Sequence, residues 1–69
     1  MNELLLKVFM RENKDTQETL AEALGIHPHT LYMKMRESNR KQQFTQEEIN
    51  FITKRYNLTP ENVVKIFFD

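Results

Sequence analysis

The chain has 69 residues, of which ten are basic and ten acidic, so its formal net charge at pH 7 is zero. A chain this short forms one small domain with little room for a substrate cavity. Zero net charge argues against sequence-independent binding of nucleic acid, because proteins that bind in this way are normally basic. The absence of cysteine excludes disulfides and thiolate metal sites and suits a reducing compartment.

The first predicted element is a helix that begins after Asn2, its cap, and runs to about Asn13. One set of its apolar residues predicts an inner face: Leu4, Leu5, Val8 and Phe9. Leu6 and Met10 fall on another side of this helix, so the apolar stripe is wider than one contact needs. We therefore expect a second neighbour, the C-terminal helix.

Residues 17–35 are predicted to form two short helices joined by a tight turn. Thr16 precedes the first and is a typical N-cap. Leu20, Ala21 and Leu24 lie on one helical face. The helix is predicted to end at Gly25, the only glycine in the chain, because glycine adopts a left-handed conformation without steric cost. Ala21 is small enough to let the two helices approach closely.

The second of these helices is predicted to begin at Pro28. Proline lacks a backbone N–H, and the N–H of the first helical position has no partner within the helix, so no hydrogen bond is lost there. Leu31 and Met35 lie one turn apart and should face the first helix. The side chains left to point outward are His29, Thr30, Tyr32, Met33 and Arg36.

Positive charge is concentrated on this second helix and on the loop predicted after it. Residues 27–44 contain four basic residues and one acidic residue, a net charge of plus three. Residues 1–26 carry minus two and residues 45–69 minus one. Arg40 and Lys41 lie in the loop, where the backbone of a nucleic acid bound to this helix would pass.

The remaining segments predict two more helices. Thr45 and Glu48 fit a capping box, with Phe44 as a hydrophobic staple before it, and the inner face of this helix contains Ile49, Ile52 and Tyr56. Thr59 caps the last helix, and Pro60 takes its first position. That helix has Val63, Ile66 and Phe67 on one face, with Val64 and Phe68 beside it.

Five helices with no strand signal predict an all-α domain spanning residues 1–69, with no internal repeat. Apolar runs are far shorter than the roughly 20 residues of a membrane span. Glu3 stands where a signal peptide would be basic. We expect a cytoplasmic protein.

The stretch from Gln17 resembles the helix-turn-helix of the phage repressor and Cro-like DNA-binding proteins. The matching residues are Gln17, Ala21, Gly25 and Leu31. Residues 57–68, NLTPENVVKIFF, are similar to the end of small phage-type regulators, so the resemblance covers nearly the whole chain.

Three positions depart from the pattern of that family. Asp15 stands where an apolar residue usually precedes the first motif helix. Lys34 replaces an apolar residue that closes the helix pair, and Met35 is expected to supply the contact instead. Phe51 stands where a polar residue is usual. The first two departures leave the local packing open.

The resemblance implies a lambda-repressor-like fold with the helix-turn-helix at about residues 17–36 and operator DNA as the partner. The helix at about 28–36 would enter the major groove. The implied base contacts are His29, Thr30, Tyr32, Met33 and Arg36. The implied backbone contacts are Gln17, His27, Lys34, Arg40 and Lys41. A homodimer is expected, because one such helix reads only a few base pairs. The alternative for these residues is an ordinary solvated face.

A second hypothesis is a protein-binding module of the same fold that modulates a repressor, either as an antirepressor or as a co-repressor. Zero net charge and Phe51, an aromatic residue on a polar helix face, motivate it. Phe51 and Phe68 are therefore interface candidates. His27 and His29 lack a third metal ligand nearby, and no nucleophile, base and orienting group occur together. We expect no cofactor, no metal and no enzymatic activity.

Overall fold

The structure, a computed structural model, describes residues 2–36 and 43–68. Its helices are α1 (Glu3–Glu12), α2 (Gln17–Leu24), α3 (Pro28–Met35), α4 (Gln46–Tyr56) and α5 (Pro60–Val63). A π-helical turn, Val64–Phe68, follows α5 directly. The described part of the chain contains no strand, which agrees with the predicted all-α class.

α1 begins as predicted but buries only part of the predicted face, since Leu5 and Phe9 pack against the core. The Leu5 N–H donates to Asn2 Oδ1 at 3.0 Å, so Asn2 caps the helix. Leu6 and Met10 are buried, whereas Leu4 is 75% exposed. Val8 is exposed too, so the prediction that Leu4 and Val8 face inward was wrong.

The reason lies in the width of the apolar stripe on α1. Periodicity locates such a stripe but does not tell which of its sides meets the core. α1 packs against the π-helical turn, and the Asn2 N–H donates to the Ile66 carbonyl at 2.6 Å. The expected contact with the C-terminal helix is therefore present, and Leu6 is fully buried.

The C-terminal helix differs from the prediction in its winding. It is α-helical for only four residues, Pro60–Val63, and then widens into the π-helical turn. Ile66 is buried, and Phe67 packs against the core. The Phe67 ring meets Phe44 edge to face, with ring centroids 5.5 Å apart.

α4 agrees with the prediction in both its start and its inner face. Glu48 N–H donates to Thr45 Oγ1 at 3.1 Å, and Thr45 N–H donates to Glu48 Oε1 at 2.8 Å, which completes the capping box. Ile49, Ile52 and Tyr56 are all buried. The core also contains buried residues of α1, α2, α3, the link between α4 and α5, and the π-helical turn: Leu6, Met10, Leu20, Ala21, Leu31, Met35, Leu58 and Ile66.

None of the helices in the described ranges has both the length and the apolar character that crossing a bilayer requires.

Enlarging Ala21 is predicted to destabilise the fold. Ala21 is fully buried on α2, the helix that packs against α3. Ala21→Leu should lower the free energy of unfolding by about 1–3 kcal/mol, because the extra carbons force the two helices apart. Urea denaturation followed by circular dichroism measures this. Glu22→Leu, at the exposed neighbouring position, is the control and should change stability by under about 0.5 kcal/mol.

Candidate nucleic-acid interface

The turn between α2 and α3 fixes where α3 begins. Gly25 has a φ of 74°, in the left-handed region. The Ile26 N–H donates to the Ala21 carbonyl at 3.0 Å, and the Gly25 N–H donates to the Glu22 carbonyl at 3.1 Å. These two bonds satisfy two of the last four carbonyls of α2. A Cβ at Gly25 would meet no atom within 4 Å, so backbone conformation alone explains the glycine.

His27 caps α3, a role that sequence reasoning did not assign. Its Nδ1 accepts a hydrogen bond from the His29 N–H at 3.0 Å, and Pro28 follows in the first helical position. A neutral imidazole that accepts at Nδ1 carries its proton on Nε2. Since His27 is exposed, this N–H is available to an acceptor outside the protein, such as a phosphate oxygen.

The outward side of α3 presents the five predicted base-contact residues to different degrees. His29, Tyr32 and Arg36 are exposed, while Thr30 and Met33 are half-buried. Leu31 and Met35 point into the core, as predicted. The burial pattern therefore agrees with the predicted division of α3 into an inner and an outer side.

Two exposed side chains of α3 and that of its C-cap residue form a continuous row, which we call the α3 row: His29, Tyr32 and Arg36. The His29 and Tyr32 rings lie 6.2 Å apart between centroids, at an interplanar angle of 27°. The Arg36 Cζ lies 5.4 Å from the Tyr32 ring centroid, and Arg36 Nη1 donates to Tyr32 Oη. Sequence reasoning placed these side chains on one face but did not foresee their mutual contacts.

Lys34, expected to contact a nucleic-acid backbone, has a partner within the protein instead. Its ammonium donates to Glu48 Oε1 at 2.9 Å and to the Gln43 carbonyl at 3.2 Å. The side chain is only 14% exposed. Burial opposes ionisation of Glu48, but the Thr45 N–H and the Lys34 ammonium outweigh it and lower the pKa of this carboxyl. Lys34 thus joins α3 to α4.

Asp15 makes the corresponding link before α2. Arg55 donates from Nε to Asp15 Oδ2 at 2.7 Å and from Nη2 to Oδ1 at 2.9 Å. Tyr56 Oη donates to Oδ2 at 2.6 Å and Thr19 Oγ1 to Oδ1 at 2.8 Å. Arg55 above all, helped by the two hydroxyls, holds the pKa of Asp15 well below its usual range, although burial opposes this.

Both links reach α4, for which sequence reasoning had predicted core contacts and the interface candidate Phe51 but no ion pair. Asp15 and Lys34 are two of the positions that depart from the pattern of the repressor family, and each has an oppositely charged partner on α4: Arg55 and Glu48. The signal available in the sequence was a charged residue at each of two positions where the family pattern has an apolar one. Pairing them required distances between segments that lie far apart in the sequence.

The other predicted contacts occupy different parts of the surface. Gln17 is half-buried in the first turn of α2, which Thr16 caps by accepting from the Thr19 N–H at 3.1 Å. Arg40 and Lys41 lie outside the described residues. Phe51, on α4, is 40% exposed, and Phe68, on the π-helical turn, is 62% exposed. Neither phenylalanine belongs to the α3 row.

Within residues 2–36 and 43–68, no group of three or more metal-ligating side chains comes together. Comparisons of the chain with protein-family models, with curated proteins and with solved structures gave no match.

Replacing Asp15 is predicted to change how stability depends on pH. The lowered pKa of Asp15 means that its ionised form stabilises the fold. This contribution is complete above the unfolded-state pKa of about 4 and is lost as the pH falls towards the folded-state value. Asp15→Asn should lower the free energy of unfolding by about 1–2 kcal/mol at pH 7. The loss is no larger because the Arg55 side chain is partly exposed, and water weakens its ion pair.

The difference between wild type and Asp15→Asn should shrink as the pH falls from about 5 to 2. Urea titrations across this range measure it. Glu22→Gln removes an exposed carboxylate from α2 and should leave the pH dependence close to that of the wild type. An Asp15→Asn deficit that stays constant down to pH 2 contradicts the assignment.

Proposed function

We propose that the chain is a sequence-specific DNA-binding transcriptional regulator of the phage repressor or Cro type, which reads operator DNA with α3. The observation that carries the proposal is the α3 row: an aromatic pair and an arginine lie together on the exposed side of a short helix that a tight turn joins to α2. Arginine, histidine and tyrosine supply hydrogen bonds and apolar contacts that suit base edges.

The charge arrangement supports selective rather than general binding. Lys34 and Arg55 are paired with carboxylates in the structure, which lowers the positive charge that a backbone would meet. No carboxylate among the described residues lies within ion-pair distance of Arg36. Arg36, the C-cap of α3, is the charged donor that the proposal places at the DNA, and Arg40 and Lys41 follow it in the sequence.

Two copies of the chain would be needed for useful specificity. A single helix of this length reads only a few base pairs, whereas a two-fold symmetric pair reads two half-sites about one helical turn apart. The proposal therefore includes a homodimer on an operator with inverted symmetry.

Selection from random duplex DNA at two salt concentrations, followed by sequencing, tests the proposal. Recovery of a palindromic motif whose affinity falls steeply with salt would support it and would give the half-site spacing. No enrichment even at the lower salt concentration would refute autonomous DNA binding.

Loss of Arg36 is predicted to weaken DNA binding selectively. Arg36→Ala should lower affinity for the selected operator at least about fivefold, because it removes a donor to a base or a phosphate. Arg11→Ala is the matched control, since it removes the same charge from an exposed position at the end of α1. Fluorescence anisotropy with a labelled duplex measures both. Equal losses for the two variants would indicate a mere effect of net charge.

A second candidate function is a protein-binding module that modulates a repressor, as an antirepressor or a co-repressor. The observation that favours it is the set of large apolar side chains left exposed, away from the α3 row: Leu4, Val8, Phe51, Val64 and Phe68. Exposed apolar surface of this kind is common at protein–protein interfaces.

Phe51→Ser separates the two functions. If α3 reads DNA, this variant should bind a duplex carrying a single half-site with an affinity within about twofold of the wild type, because α4 places Phe51 outside the α3 row. Anisotropy with the single half-site measures this monomer contact. A loss as large as that of Arg36→Ala would exclude an independent role for α3.

A further inference from the structure

The contact between Tyr32 and Arg36 restrains a side chain that is usually free. Arg36 follows the last residue of α3 and lies one turn beyond Tyr32. Its guanidinium donates from Nη1 to the Tyr32 hydroxyl and lies above the Tyr32 ring, with Cζ 5.4 Å from the centroid. The Tyr32 ring also stacks against His29. Two different contacts therefore hold one guanidinium in place.

This restraint matters because an exposed arginine has many rotamers to lose on binding. Fixing a long charged side chain costs conformational entropy at the moment a complex forms. A side chain that is already held in the free protein has lost part of that entropy beforehand. The Tyr32 side chain has only two torsion angles, so it loses little conformational entropy of its own when it holds Arg36.

The contact with Tyr32 also determines which N–H donors of Arg36 remain free to bind another group. A guanidinium has five N–H donors in a fixed planar arrangement. The bond to Tyr32 Oη uses a donor on Nη1 and leaves the edge formed by Nε and Nη2. That edge donates two parallel hydrogen bonds to a pair of adjacent acceptors. In the major groove, guanine offers such a pair in O6 and N7.

The contacts of Arg36 favour a base over a phosphate. Arg36 is the C-cap of α3 and has an extended backbone, so the helical period does not set the direction of its side chain. Its contacts with Tyr32 hold the guanidinium beside the outward side chains of α3, rather than extended towards a flank where the strands' phosphates would pass.

We propose that Tyr32 is a positioning residue that holds Arg36 to read a guanine in each operator half-site. The assignment presupposes the DNA-binding function proposed above and adds a base and a mechanism to it. Arg36 makes the contact with the guanine, and Tyr32 acts through Arg36 by hydrogen bond and by ring contact.

Selection from random duplexes with the wild type and three variants tests this assignment. The wild-type motif should contain one guanine position per half-site whose preference disappears in Arg36→Ala. Tyr32→Phe keeps the ring and removes the hydroxyl, so it should lower the guanine preference at that position by about twofold to tenfold. Tyr32→Leu removes both contacts and should lower it further. Preferences at the other positions should stay within about twofold.

Thermal unfolding of each variant separates positioning from folding. Tyr32 is exposed, so the variants should keep the wild-type melting temperature within a few degrees. A merely structural role would lower the melting temperature and weaken all positions together. Confinement of the loss to one guanine position therefore supports the assignment.

Three outcomes would overturn the assignment. A guanine preference that survives both Tyr32→Phe and Tyr32→Leu would refute positioning and leave the proposed function standing. An Arg36→Ala variant that binds all sequences more weakly, with an unchanged motif, would show that Arg36 contacts a phosphate. Failure of the wild type to enrich any motif would refute the proposed function together with this assignment.

Discussion

Two ion pairs with α4 hold the α2–α3 pair in position. Asp15, just before α2, meets Arg55, and Lys34, on α3, meets Glu48. The carboxylate of Asp15 is 6% exposed and accepts bonds from Tyr56 and Thr19 as well. Apolar packing is tolerant of small rotations, whereas charged hydrogen bonds at these distances are directional. The pairs therefore add orientation to the burial that the core supplies.

The same pairs shape the charge that the surface presents. Lys34 and Arg55 contribute to the ten basic residues that balance ten acidic ones, yet both are engaged within the protein. Each pair engages one basic and one acidic group, so the pairs leave the net charge unchanged while they remove both groups from the charge that a partner meets. Arg36, by contrast, is held within the described residues by an aromatic ring and a hydroxyl.

Local signals in the sequence predicted much of the fold. Asn2, Thr16, Gly25, Thr45 and Thr59 mark helix ends through bonds within a few residues, and the structure has a cap at each of them. The inner face of α1 was predicted only in part: Leu5 and Phe9 pack against the core, whereas Leu4 and Val8 are exposed. The width of an apolar stripe does not tell which of its sides meets the core. The π-helical winding and the links from α4 were missed for a related reason: both depend on segments brought together only by folding.

The candidate site was predictable as a face but not as an arrangement. Spacing alone separates His29, Tyr32 and Arg36 from Leu31 and Met35, since inner and outer positions follow from the helical period. Whether outward side chains contact one another depends on rotamers that the period does not specify. The α3 row exists because aromatic and arginine side chains one turn apart gain from mutual contact. The guanidinium of Arg36, in contact with the Tyr32 ring and hydroxyl, is the feature of this surface on which the proposed DNA-binding function rests.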